Sequence, residues 1–222
     1  MPNAINLNLP NPSPELIAAI RELVSTVEVN THDTYRLGEL TKISDNDSND
    51  RNPAYHNFKY DKLIDKLIND EFFKFFKPRK IIFHCVVIAN MSNSNAACLY
   101  PHIDTSRSVV LNFVVDCGGP QVSTVFYDKS HEIDRGHGQF FSYDEILPVD
   151  TYILKNKWYA LNTSRVHSVE NIQSTRILIS LKIARSVAVG SDFTYTMENL
   201  IQDYPELIGK NVVPSKPSTT VP

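Results

Sequence analysis

The apolar positions divide the chain into a helical first third and a strand-rich remainder. Apolar residues spaced by three and four predict two amphipathic helices, over 13–27 and 59–76. Ser13 is the predicted N-cap of the first helix with Pro14 at its first position, and Pro78 ends the second. From residue 81 the apolar runs are short or alternate, and turn residues separate them. The predicted strands are 81–88, about 100–104, 109–115, 122–127, 148–154, 158–162, a strand through His167 and 176–183, and a short helix follows at about 195–200.

This order of elements predicts a mainly β fold with flanking α-helices and a double-stranded β-helix (jelly-roll or cupin-like) core. We expect the 222 residues to form a single domain, since β folds of this length commonly remain undivided. A helical buttress is expected at about 13–78, the core at about 79–185, and an extension at about 186–222 whose end is disordered. The polar stretch 30–57 is predicted to be an acidic loop that could cover a site.

Charge and composition narrow the range of partners. The net charge is −3 and no run of Lys or Arg occurs, so no nucleic-acid partner is expected. The sequence shows no basic, apolar leader and no apolar run of membrane-spanning length, so we expect a cytoplasmic protein without a membrane partner. The three cysteines lack C-x-x-C spacing, which fits a reducing compartment. The pattern does not predict an oligomeric state.

Three residues form a candidate metal site. His102 and Asp104 point to the same face of an extended segment, and His167 on a separate strand would complete a two-His-one-carboxylate triad. Such a triad occupies one face of an octahedral Fe(II), and the lack of a cysteine in the set argues against structural zinc. A rival set of ligands lies in the loop 128–138, where a Gly-punctuated segment would hold them less firmly than a sheet. The rival residues are His131, Glu132, Asp134, Arg135 and His137.

Arg176 is a candidate anion-binding residue. It begins a strand whose alternation places Arg176, Leu178, Ser180 and Lys182 on one face. A guanidinium on the strand after a metal ligand suits bidentate binding of a carboxylate. If the alternation also continues from Asp104, Tyr100 and Asn112 share the metal face and become candidate contacts to a cosubstrate. A bulge at 105–107 would reverse that parity.

These residues resemble a known signature. His102-x-Asp104, His167 and Arg176 are similar to the H-x-D…H…R pattern of the Fe(II)/2-oxoglutarate-dependent dioxygenases. The segments 158–163 and 167–171 resemble the aspartyl/asparaginyl β-hydroxylase and proline hydroxylase-like branch, and the resemblance covers about residues 80–185. Two positions depart from related patterns. Some members have Ser or His where this chain has Leu178, and the nucleic-acid demethylase branch has a second Arg where this chain has Lys182.

The resemblance implies Fe(II) held by His102, Asp104 and His167, with 2-oxoglutarate bound to the metal and to Arg176. It further implies hydroxylation of an amino acid, or of an amino-acid side chain in a peptide, with release of succinate and CO2. Two alternatives remain open. One is a zinc hydrolase that uses the same triad without needing Arg176, and the other is a non-catalytic β-helix binding module.

Overall fold

The computed structural model describes residues 1–26, 54–58, 62–77, 80–89, 97–104, 107–130, 141–184, 195–211 and 214. In these ranges the chain forms three α-helices, which are α1 (Pro14–Thr26), α2 (Lys62–Phe72) and α3 (Met197–Asp203). The strands are β1 (Ala4–Leu7), β2 (Ala54–Phe58), β3 (Lys80–Ala89), β4 (Ala97–His102), β5 (Val109–Cys117), β6 (Ser123–Ser130), β7 (Pro148–Tyr152), β8 (Trp158–Asn162), β9 (Arg165–Ile172), β10 (Arg176–Ala184) and β11 (Ile208–Asn211).

The strands form two antiparallel sheets. The larger sheet has the order β11-β1-β8-β5-β10-β3-β2, and the smaller has the order β4-β9-β6-β7. From β3 to β10 consecutive strands lie in opposite sheets, except for the β6–β7 hairpin. This alternation is the connectivity of a double-stranded β-helix, so the predicted fold class is confirmed.

The core of the fold consists of the eight strands β3 to β10, which the two sheets share. The larger sheet has further strands at both of its edges. At one edge β1 pairs with β8 and β11, and at the other β2 pairs with β3. The prediction of a loop throughout 30–57 is wrong at its end, because Ala54–Phe58 is strand β2. An edge strand takes its hydrogen bonds from one neighbour, so its own apolar pattern can be weak. The rest of that predicted loop lies outside the described residues.

The two long helices cover the outer face of the larger sheet, as predicted. Leu16 and Ile20 of α1 and Phe72 of α2 are buried in one cluster with the outward-facing Ile179 of β10. The ring of Phe72 packs edge-on against Trp158 at a centroid distance of 5.0 Å. Burying such apolar side chains contributes roughly 1.5–3 kcal/mol each. The helices therefore stabilise the sheet that carries Arg176.

Hydrogen bonds at Ser13 fix the start of α1. The Ser13 hydroxyl accepts from the main-chain N–H of Leu16 at 3.1 Å, which confirms the predicted N-cap. Glu71 of α2 accepts from the main-chain N–H of Ser13 at 2.9 Å. The cap therefore also joins the two helices.

No helix in the described part of the chain is long and apolar enough to cross a membrane.

The alternation of β10 separates the helical layer from the interior between the sheets. Ile177, Ile179, Leu181 and Ile183 belong to the helix-side cluster, whereas Leu178 belongs to the cluster between the sheets. Arg176, Ser180 and Lys182 share the inner parity with Leu178 and are buried. Three polar side chains of one strand thus lie inside the barrel.

Candidate metal centre and buried arginine

His102 and His167 are brought together by pairing of β4 with β9. They face each other in the strand register, and their ring centroids are 4.4 Å apart. Leu99 and His102 are three residues apart and would lie on opposite faces of a regular strand. The register shifts between them, so both side chains can face the interior. Behind His167 the ring of Phe126 stacks at 5.7 Å. The sheet and this aromatic contact therefore fix the two imidazoles.

Asp104 lies just beyond the end of β4 and faces both rings. Its Oδ1 is 3.5 Å from His102 Nε2 and 3.8 Å from His167 Nε2. The donor atoms of the three residues all lie within 4.8 Å of one another. Among the described residues this is the one group of three or more His, Cys, Asp or Glu side chains with such spacing. The rival set at 131–137 lies outside the described residues.

Both imidazoles are oriented through Nδ1. His102 Nδ1 is 2.7 Å from the carbonyl oxygen of Tyr100, and His167 Nδ1 is 3.0 Å from that of Arg165. A carbonyl only accepts, so each Nδ1 carries the proton and Nε2 is the ring atom turned toward Asp104. Burial, with a smaller effect of His102, lowers the pKa of His167 to about 4. At neutral pH the His167 ring is therefore neutral and offers its Nε2 lone pair.

Arg107 pairs with Asp104 on the side away from the imidazoles. Its Nε donates to Asp104 Oδ2 at 2.7 Å, and its NH1 group donates to the hydroxyl of Ser180 at 3.0 Å. Burial alone would raise the pKa of Asp104, but the positive charge of Arg107 lowers that pKa far below its usual range. Asp104 is therefore a carboxylate at neutral pH.

The turn between β8 and β9 holds the segment that carries Asp104 and Arg107. The main-chain N–H of Asp104 donates to the carbonyl of Thr163 at 3.4 Å. The Thr163 hydroxyl donates to the carbonyl of Arg107 at 3.1 Å, and its N–H donates to that of Ser108 at 3.0 Å. Thr163 lies in the two-residue turn that leads into β9, so this turn links the segment of Asp104 and Arg107 to the strand of His167.

Arg176 is buried inside the barrel without an acidic partner among the described residues. It is 1% exposed, its NH1 group donates to the carbonyl of Cys117 at 3.0 Å, and its Nε has no hydrogen-bond partner. Burial lowers the pKa of Arg176 to about 10, so the guanidinium is still charged at neutral pH. A buried cation is costly unless it is paired. The arrangement suits an anionic ligand.

Asn112 and Tyr100 occupy different surroundings. Asn112 lies opposite Ser180 in the pairing of β5 with β10, and its buried Oδ1 has no hydrogen-bond partner. Tyr100 supplies the carbonyl that orients His102, while its ring lies 6.1 Å from that of Tyr143. Asn112 is thus a buried polar residue beside Ser180. Contact of either residue with a cosubstrate stays a prediction.

Gly118 shapes the turn beside Arg176. Its φ is +80°, and a Cβ there would lie 2.9 Å from the Cβ of Arg176. We expect Gly118→Ala to lower the free energy of unfolding by about 1–2 kcal/mol through the left-handed backbone alone, with the close contact adding to it. Urea unfolding measures this. Gln121→Ala, at an exposed position of the same turn, is the control and should change stability by less than about 0.5 kcal/mol.

Comparison with known proteins supports the architecture. The chain is similar to the crystal structure of SnoK, a non-haem α-ketoglutarate-dependent carbocyclase from nogalamycin biosynthesis. The TM-score is 0.51 at 8% identity, and the match covers 97% of this chain and 90% of SnoK. The related epimerase SnoN matches at TM-score 0.47 and 11% identity, covering 99% and 91%. A Pseudomonas putida prolyl-4-hydroxylase matches at TM-score 0.37 and 13% identity, covering 84% and 94%. No protein-family model and no curated protein matches the sequence.

The similarity to SnoK shows that the chain has the fold of a non-haem α-ketoglutarate-dependent enzyme. α-Ketoglutarate is the same molecule as 2-oxoglutarate. The fold that the sequence resemblance predicted is therefore confirmed.

Proposed function

We propose that the protein is an Fe(II)- and 2-oxoglutarate-dependent dioxygenase that hydroxylates an amino acid or an amino-acid side chain in a peptide. One observation carries the proposal. A His-Asp-His cluster and a buried arginine without an acidic partner among the described residues lie inside the same β-helix. The metal cluster alone would fit several reactions, whereas the buried cation indicates a second, anionic ligand.

The three residues that would hold the iron are His102, Asp104 and His167. Their set of two imidazole nitrogens and one carboxylate oxygen matches the two-His-one-carboxylate triad of non-haem Fe(II) oxygenases. The rings already turn Nε2 toward Asp104, and His167 is neutral at neutral pH. A metal binds deprotonated ligands, and His167 already meets this requirement because its ring is neutral at neutral pH.

Arg176 would bind the distal carboxylate of 2-oxoglutarate. It begins β10 on the same inner face as Ser180, four residues away, which corresponds to about 13 Å of strand. Since Ser180 accepts a hydrogen bond from Arg107, and Arg107 contacts Asp104, β10 connects the two parts of the site. A dicarboxylate could thus bind the metal at one end and the guanidinium at the other.

Together, bound Fe(II), 2-oxoglutarate and O2 would supply the oxidation, in which a substrate C–H becomes C–OH and the cosubstrate becomes succinate and CO2. The protein's own part is to orient the two imidazoles, keep Asp104 ionised and exclude water from the barrel interior. Hydroxylation and the amino-acid substrate class rest on the sequence resemblance. A zinc hydrolase with the same triad would leave Arg176 without a role.

The proposal is tested by adding 2-oxoglutarate to the Fe(II) protein without oxygen. We expect a metal-to-ligand charge-transfer band, because the keto acid would chelate the iron. With oxygen, a panel of free amino acids and short peptides should identify substrates by faster succinate release. Zinc-loaded protein is the control and should release none. An iron-loaded protein with neither band nor succinate would contradict the proposal.

A further inference from the structure

Arg107 connects the candidate metal centre to the opposite sheet. Its Nε donates to one oxygen of Asp104 at 2.7 Å, and its NH1 group donates to Ser180 at 3.0 Å. Asp104 follows β4 of the smaller sheet, whereas Ser180 lies on β10 of the larger one. The guanidinium thus bridges the two layers at the level of the imidazoles.

This contact makes the two oxygens of Asp104 different. Oδ2 accepts the charge-assisted hydrogen bond from Arg107, while Oδ1 faces Nε2 of both His102 and His167. An unrestrained carboxylate can turn about its terminal torsion and exchange its oxygens. The planar guanidinium, fixed at its far end by Ser180, opposes that rotation.

We propose that Arg107 is a positioning residue, which holds Asp104 so that only Oδ1 is available to the metal. The inference rests on the proposed metal site and adds a residue that the H-x-D…H…R pattern does not contain. Residues that orient metal ligands from outside the coordination sphere commonly change metal affinity by about 10–100-fold when they are replaced. Arg107 would belong to this group.

Co(II) is a suitable probe, because it accepts the same kind of ligands as Fe(II) and has an informative absorption spectrum. We expect Arg107→Ala to weaken Co(II) binding by about 10–100-fold, measured in competition with a chelator. At saturating Co(II) its d–d spectrum should also change, because Asp104 could then bind through both oxygens. A purely structural role of Arg107 would leave the saturated spectrum unchanged.

Two further variants guard against a failure of Arg107→Ala to fold. Arg107→Lys keeps the charge without the planar fork and should restore part of the affinity and part of the spectrum. Ser180→Ala keeps the Asp104 contact but frees the far end of the guanidinium, so we expect a smaller loss in the same direction. Thermal unfolding of each protein establishes that it is folded.

Arg176→Ala is the matched control, since it removes another buried arginine from the same barrel. It should leave Co(II) affinity and spectrum unchanged. Wild-type metal affinity and spectrum in Arg107→Lys and Ser180→Ala would overturn the positioning role. Tighter metal binding in Arg107→Ala would also overturn it, because the guanidinium would then compete with the metal for Asp104. Failure of the wild-type protein to bind Fe(II) or Co(II) would instead overturn the proposed function.

Discussion

His167→Ala is expected to abolish 2-oxoglutarate turnover and stoichiometric iron binding while the β-helix stays folded. His167 would supply one of the three iron ligands, and the remaining pair, His102 and Asp104, would hold the metal much more weakly. The side chain is 7% exposed and packs on Phe126, so its loss also removes some core contact. Metal analysis after reconstitution and gel filtration measures the loss of iron. Circular dichroism establishes that the fold remains.

The rival ligand set provides the control for this experiment. His131→Ala and His137→Ala should retain iron and turnover, because the proposed metal ligands are His102, Asp104 and His167. If His167→Ala still binds one iron per chain, and His131→Ala or His137→Ala loses it, then the metal is bound by the loop 128–138. That result would contradict the assigned ligands without altering the fold.

The fold could be predicted where the alternation of apolar and polar residues along a strand matched the two layers on either side of that strand. β10 alternates because one face meets the helices and the other meets the barrel interior. The sequence pattern therefore placed Ile177 and Ile179 on the face opposite Arg176. The edge strand β2 was missed because its pairing with β3, rather than an apolar pattern of its own, defines it. Local sequence carries little information about such a backbone contact.

The proximity of His102, Asp104 and His167 could be predicted from residue type, spacing and order. The role of Arg107 could not, because its contacts depend on how Ser180 and the turn at Thr163 close around it. Its only local signal is a basic residue three positions after Asp104, which is a common spacing. The packing of the two sheets against each other turns this ordinary spacing into a contact with the candidate metal centre.

Tyr100 lies in a part of β4 where the pairing with β9 is irregular. Alternation from Asp104 placed its side chain on the metal face, but the register of β4 with β9 shifts between Leu99 and His102. A register shift by one residue exchanges the faces of all side chains beyond it. The ring of Tyr100 contacts Tyr143, and its carbonyl orients His102. Contact of the Tyr100 side chain with a cosubstrate stays a prediction.

The buried charge of Arg176 should cost stability when no ligand is present. An uncompensated cation in an apolar interior is unfavourable, and replacing buried ionic groups by apolar ones of similar volume is often neutral or stabilising by about 1–4 kcal/mol. Arg176→Met retains much of the side-chain volume and should therefore unfold at the same or a higher urea concentration than the wild type. Added 2-oxoglutarate should stabilise the iron-loaded wild type and have a much smaller effect on the variant.

Arg176→Ala is expected to weaken 2-oxoglutarate binding by roughly one to three orders of magnitude. Hydrogen bonds to charged groups contribute about 1.5–3 kcal/mol each, and about 1.4 kcal/mol corresponds to a tenfold change in affinity. Arg176→Lys should recover part of the loss, because an ammonium cannot offer a carboxylate two parallel donors. Titration of 2-oxoglutarate into each anaerobic Fe(II) protein, followed by the charge-transfer band, measures both changes.

Metal binding is the internal control for this prediction. Arg176 is not among the assigned metal ligands, so Arg176→Ala should bind Fe(II) as the wild type does while requiring far more 2-oxoglutarate to develop the band. This pattern separates loss of the cosubstrate anchor from damage to the metal site or the fold. If 2-oxoglutarate binds with unchanged affinity in Arg176→Ala, the guanidinium does not pair with its distal carboxylate. The assignment of the cosubstrate site would then be wrong, while the metal site at His102, Asp104 and His167 would stand.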